Sequence, residues 1–369
     1  MSEPEMSSVP DGIRAHHPAD PHLTHMTRLQ PARKRGRKFL NPVQTEMGGL
    51  SVMLKALPLY LTNKAKTEPK VAPGPFHTDG FFFRQAPVTG VRITWFGHSS
   101  VLLEIDGVRL LIDPVWDERA SPVSFAGPRR FFAPTLALED LPPLDAVLLS
   151  HDHFDHLGEQ TVKRLSAQRP ELRWVCPLVV GKVLTGFGVA PNRITELDWT
   201  EAVEITGQQG GRVKLTALPA RHFSGRSVAN RFKTLWASYA IAGPNHKIYY
   251  GADSGLWDGF TAIAETYGPF DLSMLEIGAY HPLWEDIHMG PDGAAQAFAE
   301  LGGGVLMPVH WGLFNLALHA WTQPIERMEQ LADEQNVKLF APEPGLPTDF
   351  HPATDLRSAW WKPAVNPSS

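Results

Sequence analysis

The sequence predicts an α/β (α+β) chain in which two β-sheets pack face to face between helices, an αββα sandwich. Short apolar runs recur from Val91 to Val309. Helical patterns are interspersed among them rather than gathered at one end. Histidines and aspartates stand just past the ends of several runs, where neighbouring strands would bring them to one edge.

The elements follow in chain order. Val91 to Phe96 alternates in polarity, and Ser100 to Ile105 and Val108 to Asp113 follow it as strands. Asp106-Gly107 between the last two is a hairpin signal, because both positions of the favoured turn need positive φ. Asp145 to Ser150 reads as a short buried strand, Gly158 to Gln168 as a helix, and Trp174 to Cys176 and Arg193 to Leu197 as strands. Further strands are expected at 213–218, 236–241, 247–250, 272–277 and 305–309. A helix at Pro291 to Leu301 is opened by its proline and closed by Gly302. No internal repeat or low-complexity tract is evident.

The organisation expected around this core has four parts. Residues 1–38 read as a disordered tail ending in the basic run Arg33, Lys34, Arg35, Arg37, Lys38. Residues 39–90 read as an extension that packs on the core, residues 91–345 as the main domain, and residues 346–369 as a C-terminal tail. Residues 1–30 contain no apolar signal segment. Leu50 to Leu61 is too short to span a bilayer, which takes about 20 residues. A cytoplasmic protein is expected, with peripheral membrane contact through the basic run as the sharper alternative to a solvated tail. The formal net charge of −5 speaks against a nucleic-acid partner.

One motif carries the chemistry. His151-Asp-His153-Phe-Asp155-His156 follows a buried strand directly, and a strand end can aim such closely spaced groups at one cavity. The single cysteine, Cys176, cannot build a thiolate site, so imidazole and carboxylate must be the donors. They suit zinc, and also iron or manganese. His222, Asp253 and His310 each lie just beyond an apolar strand. Any one of them alone could be an ordinary buried polar residue; together they form a series.

The HxHxDH run, followed by a later His, Asp and His, resembles the metallo-β-lactamase superfamily. Other segments resemble the N-acylphosphatidylethanolamine-hydrolysing phospholipase D-like family within it. They include Gly36-Arg-Lys-Phe-Leu-Asn-Pro42, Leu141-Pro-Pro-Leu-Asp-Ala-Val147, Ile277-Gly-Ala-Tyr280 and His310-Trp-Gly312. The similarity runs from about residue 36 to 320. This sequence departs from the family at Phe154, Ala252, His281 and Ile287. Several of these departures fall where substrate would lie.

The resemblance implies two zinc ions per chain. His151, His153 and His222 would hold one; Asp155, His156 and His310 would hold the other, with Asp253 bridging. Seven donors with one shared leave room for a bridging hydroxide. Asp155 would also act as catalytic base. Asp113 is expected to support a ligand from behind, and His98 either to do the same or to be a buried structural group. His281 and His288 are expected either to be a solvent-exposed pair or to bind substrate phosphate, with His288 also protonating the leaving alcohol.

The implied activity is a phosphoric diester hydrolase of the phospholipase D type, acting on N-acylphosphatidylethanolamine or a related phospholipid. Two alternatives are weighed against it. One is a lactonase or another hydrolase of a small phosphorylated metabolite. The other is a non-enzymatic, metal-stabilised module at the membrane, which the size of the donor set opposes, since a structural site needs only four ligands. A homodimer is left open.

Overall fold

The computed structural model describes residues 29–46, 55, 58–59 and 62–362. A two-stranded hairpin comes first, β1 (Lys34–Arg35) and β2 (Lys38–Phe39). The first half of the main domain holds β3 (Val91–Trp95), β4 (Val101–Ile105), β5 (Val108–Ile112), β6 (Ala146–Leu148), α1 (Glu159–Gln168), β7 (Arg173–Pro177), α2 (Val180–Gly186) and β8 (Ile194–Leu197). The second half holds β9 (Ala202–Thr206), β10 (Arg212–Leu218), β11 (Ser238–Ala242), β12 (Lys247–Tyr250), α3 (Phe260–Tyr267), β13 (Leu272–Glu276), α4 (Gly290–Glu300), β14 (Val305–Val309), α5 (Gln323–Gln335) and β15 (Lys338–Ala341). Two short strands end the chain, β16 (Thr348–Asp349) and β17 (Leu356–Arg357).

These strands form two mixed sheets, in the orders β16-β3-β4-β5-β6-β7-β8 and β17-β15-β14-β13-β12-β11-β10-β9. Each half follows the same course. Antiparallel neighbours come first, β3 to β5 and β9 to β12, and parallel neighbours follow, β5 to β8 and β12 to β15. Helical crossovers pack on the outer faces, as parallel strands require.

The apolar runs look continuous because both faces of these strands are covered. In β4, Val101, Leu103 and Ile105 join the core shared by the two sheets, while Leu102 turns to the layer of α1 and α2. In β5, Leu110 and Ile112 face the first core and Leu111 the second. This is the two-residue period of a strand. Asp106 and Gly107 sit at φ 46° and 81°, the two positive values that the predicted hairpin turn requires.

Part of each stretch expected as a tail lies among the described residues and packs on the sheets. Residues 29–38, expected to belong to a disordered tail, fold onto the main domain. Phe39, at the end of the basic run, is buried and its N–H donates to the Phe232 carbonyl. Lys34 lies over its ring, 4.2 Å from the centroid, and the Ala32 N–H donates to Asp198. One buried aromatic outweighs the tendency of the neighbouring charges to stay solvated. The C-terminal stretch expected as a tail likewise adds β16 and β17 to the two sheets and buries Phe350 and Trp361. Most of the Leu50–Leu61 stretch, and residues 1–28, lie outside the described residues. Among the described residues, no helix is long and apolar enough to cross a membrane.

Candidate metal centre

The HxHxDH loop leaves β6 and is held by the two motif residues that are not donors. Asp152 is buried; its Oδ1 accepts the Gly225 N–H at 2.6 Å and its Oδ2 the Thr234 hydroxyl at 2.9 Å. Arg226 donates to the carbonyls of Asp152 and Leu157 and lies 3.9 Å from the centroid of the Phe154 ring. With the loop anchored at 152 and 154, the side chains of 151, 153, 155 and 156 turn to one cavity.

The structure brings all seven sequence-predicted donors together. His151, His153, His222 and Asp253 offer ligand atoms within 4.8 Å of one another, and so do His98, Asp155, His156 and His310. Asp253 lies between the sets. Its Oδ2 is 3.6 Å from His222 Nε2, 3.7 Å from His151 Nε2 and 3.1 Å from His310 Nε2, while its Oδ1 is 3.1 Å from His156 Nε2. Asp155 Oδ2 is 3.3 Å from His310 Nε2 and 3.6 Å from His156 Nε2.

This set fits a metal. His156 Nε2, His310 Nε2 and Asp253 Oδ1 are buried, and although the Asp253 carboxylate is 3.1 Å from each of the two imidazole nitrogens, none of the three atoms is in a well-aligned hydrogen bond. Three such atoms in a protein interior would be costly unless a cation meets them. The donors are imidazole and carboxylate only, since Cys176 is buried in the separate core under α1 and α2.

The residues behind the donors orient them. Asp113 Oδ2 accepts from His156 Nδ1 at 2.7 Å, from the Ser150 hydroxyl at 2.5 Å and from the Tyr250 hydroxyl at 2.5 Å, and its Oδ1 accepts the Ser150 N–H. His222 Nδ1 donates to the Ile287 carbonyl at 2.9 Å. Each bond fixes a tautomer and leaves Nε2 for the cavity. His98 Nε2 is 2.9 Å from Asp155 Oδ2, and its main chain pairs with the loop after β14, the His310 N–H donating to the His98 carbonyl. His98, Asp113 and His310 hold φ of 55°, 38° and 62°, a region that side-chain-bearing residues rarely occupy. Gly278 must lack a side chain, because a Cβ there would collide with the His310 carbonyl.

Electrostatics divide the histidines into two groups. Burial drives His151 and His222 well below their usual range. Burial, with the His310 charge beside it, lowers His98 to about 3. Burial acts the same way on His156 and His310, but Asp253 and Asp155 overcome it. His156 is raised well above its usual range and His310 to about 10. In turn, Asp155 and Asp253 lie well below the carboxylate range: burial opposes their charge, and the neighbouring His156 and His310 outweigh it. Two carboxylates thus demand positive charge at the centre of the cluster.

His281 and His288, paired in the sequence reading, occupy different places. His288 stands beside the donors, its ring 5.0 Å from that of His222 and 5.2 Å from that of His310. His281 stacks on Trp284 and lines a groove of about 480 Å³ with Leu59, Lys64, Tyr280, Leu318 and His319; it belongs to none of the donor groups.

Sequence reasoning missed two residues here. Glu276 ends β13 fully buried, accepts from His288 Nδ1 at 2.7 Å and from the N–H groups of Ser254 and Met289, and with Asp253, His288 and His310 forms a third donor group. A carboxylate at the end of an apolar strand was the available signal. Asn41 meets both main-chain polar groups of His222, and its place in the Gly36–Pro42 motif gave no hint of that role.

Comparison with known proteins agrees with this geometry. Residues 108–311 match the β-lactamase superfamily domain. The uncharacterised protein Rv0906 of Mycobacterium tuberculosis is 45% identical over 276 residues, 74% of this chain and 72% of that protein. N-acyl-phosphatidylethanolamine-hydrolyzing phospholipase D 1 of Caenorhabditis elegans is 36% identical over 252 residues, 66% of this chain and 70% of that protein. Among solved structures, the metallo hydrolase Igni18 of Ignicoccus hospitalis shares the fold at TM-score 0.55 and 24% identity, over 71% of this chain and 98% of its own. The chain belongs to the β-lactamase superfamily and is a metal-dependent hydrolase related to N-acyl-phosphatidylethanolamine-hydrolysing phospholipase D.

Proposed function

We propose that this enzyme is a binuclear zinc phosphodiesterase of the phospholipase D type, cleaving N-acylphosphatidylethanolamine or a closely related phospholipid. The observation that carries the reading is the 36% identity to the Caenorhabditis elegans phospholipase D, together with two donor groups that meet at Asp253. His151, His153 and His222 would hold one ion and Asp155, His156 and His310 the other, with Asp253 shared. Two such ions supply an activated water and a clamp for the charge that develops on phosphate. Asp155 orients the attacking water and takes its proton. His288, held by Glu276 beside the donors, is placed to meet a phosphate oxygen or the leaving alcohol.

A groove of about 540 Å³ supports an amphiphilic substrate. Phe39, Leu40, Val43 and Phe232 line it with Arg33, Arg35 and Lys38, and it includes Asn41, which holds His222. Cationic and apolar groups together suit a lipid with an anionic head better than a small polar metabolite. The same cations would bring the enzyme to an anionic membrane surface. Arg35→Glu with Lys38→Glu should weaken binding to anionic vesicles at low salt and spare a soluble phosphodiester.

The deciding experiment offers the zinc-loaded enzyme a phosphodiester phospholipid, a lactone, a β-lactam and a small phosphorylated metabolite. Fastest turnover of the phospholipid, releasing a phosphatidic acid and an N-acylethanolamine, is the expected result. Preference for the lactone or the metabolite refutes the reading.

A further inference from the structure

The Gly36–Pro42 motif lies outside residues 108–311, the stretch matched by the family domain, yet the structure runs it directly behind a metal donor. The Asn41 side chain acts as a short piece of strand. Its Nδ2 donates to the His222 carbonyl at 2.8 Å and its Oδ1 accepts the His222 N–H at 2.9 Å. His222 is buried, so these two groups depend on Asn41 for partners. Asn41 is itself fixed from both sides. Before it, Phe39 is buried in the shared core and the Leu40 N–H donates to the Arg33 carbonyl. After it, Arg221 donates to the Gln44 carbonyl and to the Thr45 hydroxyl.

The same strap also reaches the loop that orients the His222 ring. The Glu46 N–H donates to Asp286 at 2.6 Å, and Asp286 pairs with Arg221 at 2.7 Å. The next residue, Ile287, supplies the carbonyl that takes His222 Nδ1. Main chain and imidazole of one donor are thus both referred to residues 39–46.

We propose that this strap is a working part of the metal centre and that Asn41 is the positioning residue of His222. The inference rests on the two-ion reading above. It assigns the strap to the ion held by His151, His153 and His222, and not to the ion held by Asp155, His156 and His310.

The test uses the full chain, stripped with a chelator and titrated with zinc against a chromophoric competitor. Cobalt loading gives a spectrum that reports the ligand field. Asn41→Ala should weaken one of the two zinc affinities about 10–100-fold, the usual effect of losing a residue that orients a ligand. The other affinity should stay at the wild-type value, and the cobalt spectrum should change for one equivalent only. Asn41→Asp keeps an acceptor for the His222 N–H and loses the donor to its carbonyl, so it should weaken the same affinity, and it replaces Asn41→Ala should that variant fail to fold. Unchanged affinities overturn the proposal, as does equal weakening of both, which would mark general destabilisation. A wild-type protein that binds one ion refutes the binuclear reading instead; Asn41 then stands or falls on that single affinity.

Discussion

Asp113 and His156 form a buried pair, Oδ2 to Nδ1 at 2.7 Å, and the same carboxylate gathers Ser150 and Tyr250. Asp113→Asn turns one acceptor into a donor that faces donors. Metal affinity should fall about 10–100-fold. Breaking such a pair should also cost stability on the order of 3–5 kcal/mol, read by denaturant unfolding of the metal-free protein. A variant with wild-type affinity and unfolding midpoint would show that Asp113 does not support the site.

Asp155 is assigned two jobs, holding an ion and acting as base, and Asp155→Asn separates them. The amide keeps the size and one oxygen but loses the charge and the proton acceptor. Saturated with zinc, the variant should fold normally and lose turnover by about 10²–10⁴-fold. His222→Ala should instead lose metal first and recover activity in part at high zinc. Near-wild-type turnover by metal-replete Asp155→Asn would remove Asp155 as the base.

Metal uptake should release protons. His156 is raised well above its usual range and His310 to about 10, so in the metal-free protein both carry protons at pH 7. A metal ligand must give its proton up. His151 and His222 are lowered and already neutral. Calorimetric zinc titrations in buffers of different ionisation enthalpy should show proton release at pH 7 and weaker binding as pH falls. Uptake without release would contradict this charge distribution.

Asp106 should make acid stability measurable at a site far from catalysis. Its carboxylate accepts from Asn245 N, His246 N and His246 Nδ1, tying the β4–β5 turn to the β11–β12 turn. Burial opposes its charge, but these bonds outweigh burial and hold it below the usual range. A depressed carboxylate adds stability above its unfolded value of about 3.9, and the addition disappears as pH falls through the folded value. Asn tolerates the positive φ of this turn, so Asp106→Asn tests the charge. The variant should be less stable than wild type at neutral pH, with the gap closing below about pH 4. A constant gap across this range would assign the effect to geometry alone.

Most strands of the two sheets were legible because burial on both faces leaves long apolar runs, and because Asp106-Gly107 and Pro291 mark a turn and a helix start; the largely exposed β9, the short β15 and the order of strands within each sheet were not. The seven candidate donors could be picked out because each lies in the loop that follows a strand, where polar residues after an apolar run are conspicuous. Other contributions were not legible. Asn41 acts through its amide on the main chain of a residue far along the chain, a contact without periodicity or spacing. Ser150 and Tyr250 look like ordinary strand residues until Asp113 lies beside them. The basic run concealed the β1–β2 hairpin because the contacts that hold it, buried Phe39 and the Ala32 N–H on Asp198, leave no periodic pattern in the sequence. His281 and His288 are close in sequence, yet only His288 stands beside the donors.

The repeated course of the two sheets divides the candidate metal ligands. The first half contributes His151, His153, Asp155 and His156, and the second contributes His222, Asp253 and His310. The group around His151 and the group around His156 each draw on both halves, while the third, Asp253, Glu276, His288 and His310, belongs wholly to the second. A bound cation would therefore act as a rivet between two layers already joined by apolar surface and by hydrogen bonds such as that from Tyr250 to Asp113. Its removal would be felt first at the seam between the sheets, so resistance to proteolysis at the β8–β9 junction becomes a measure of metal occupancy.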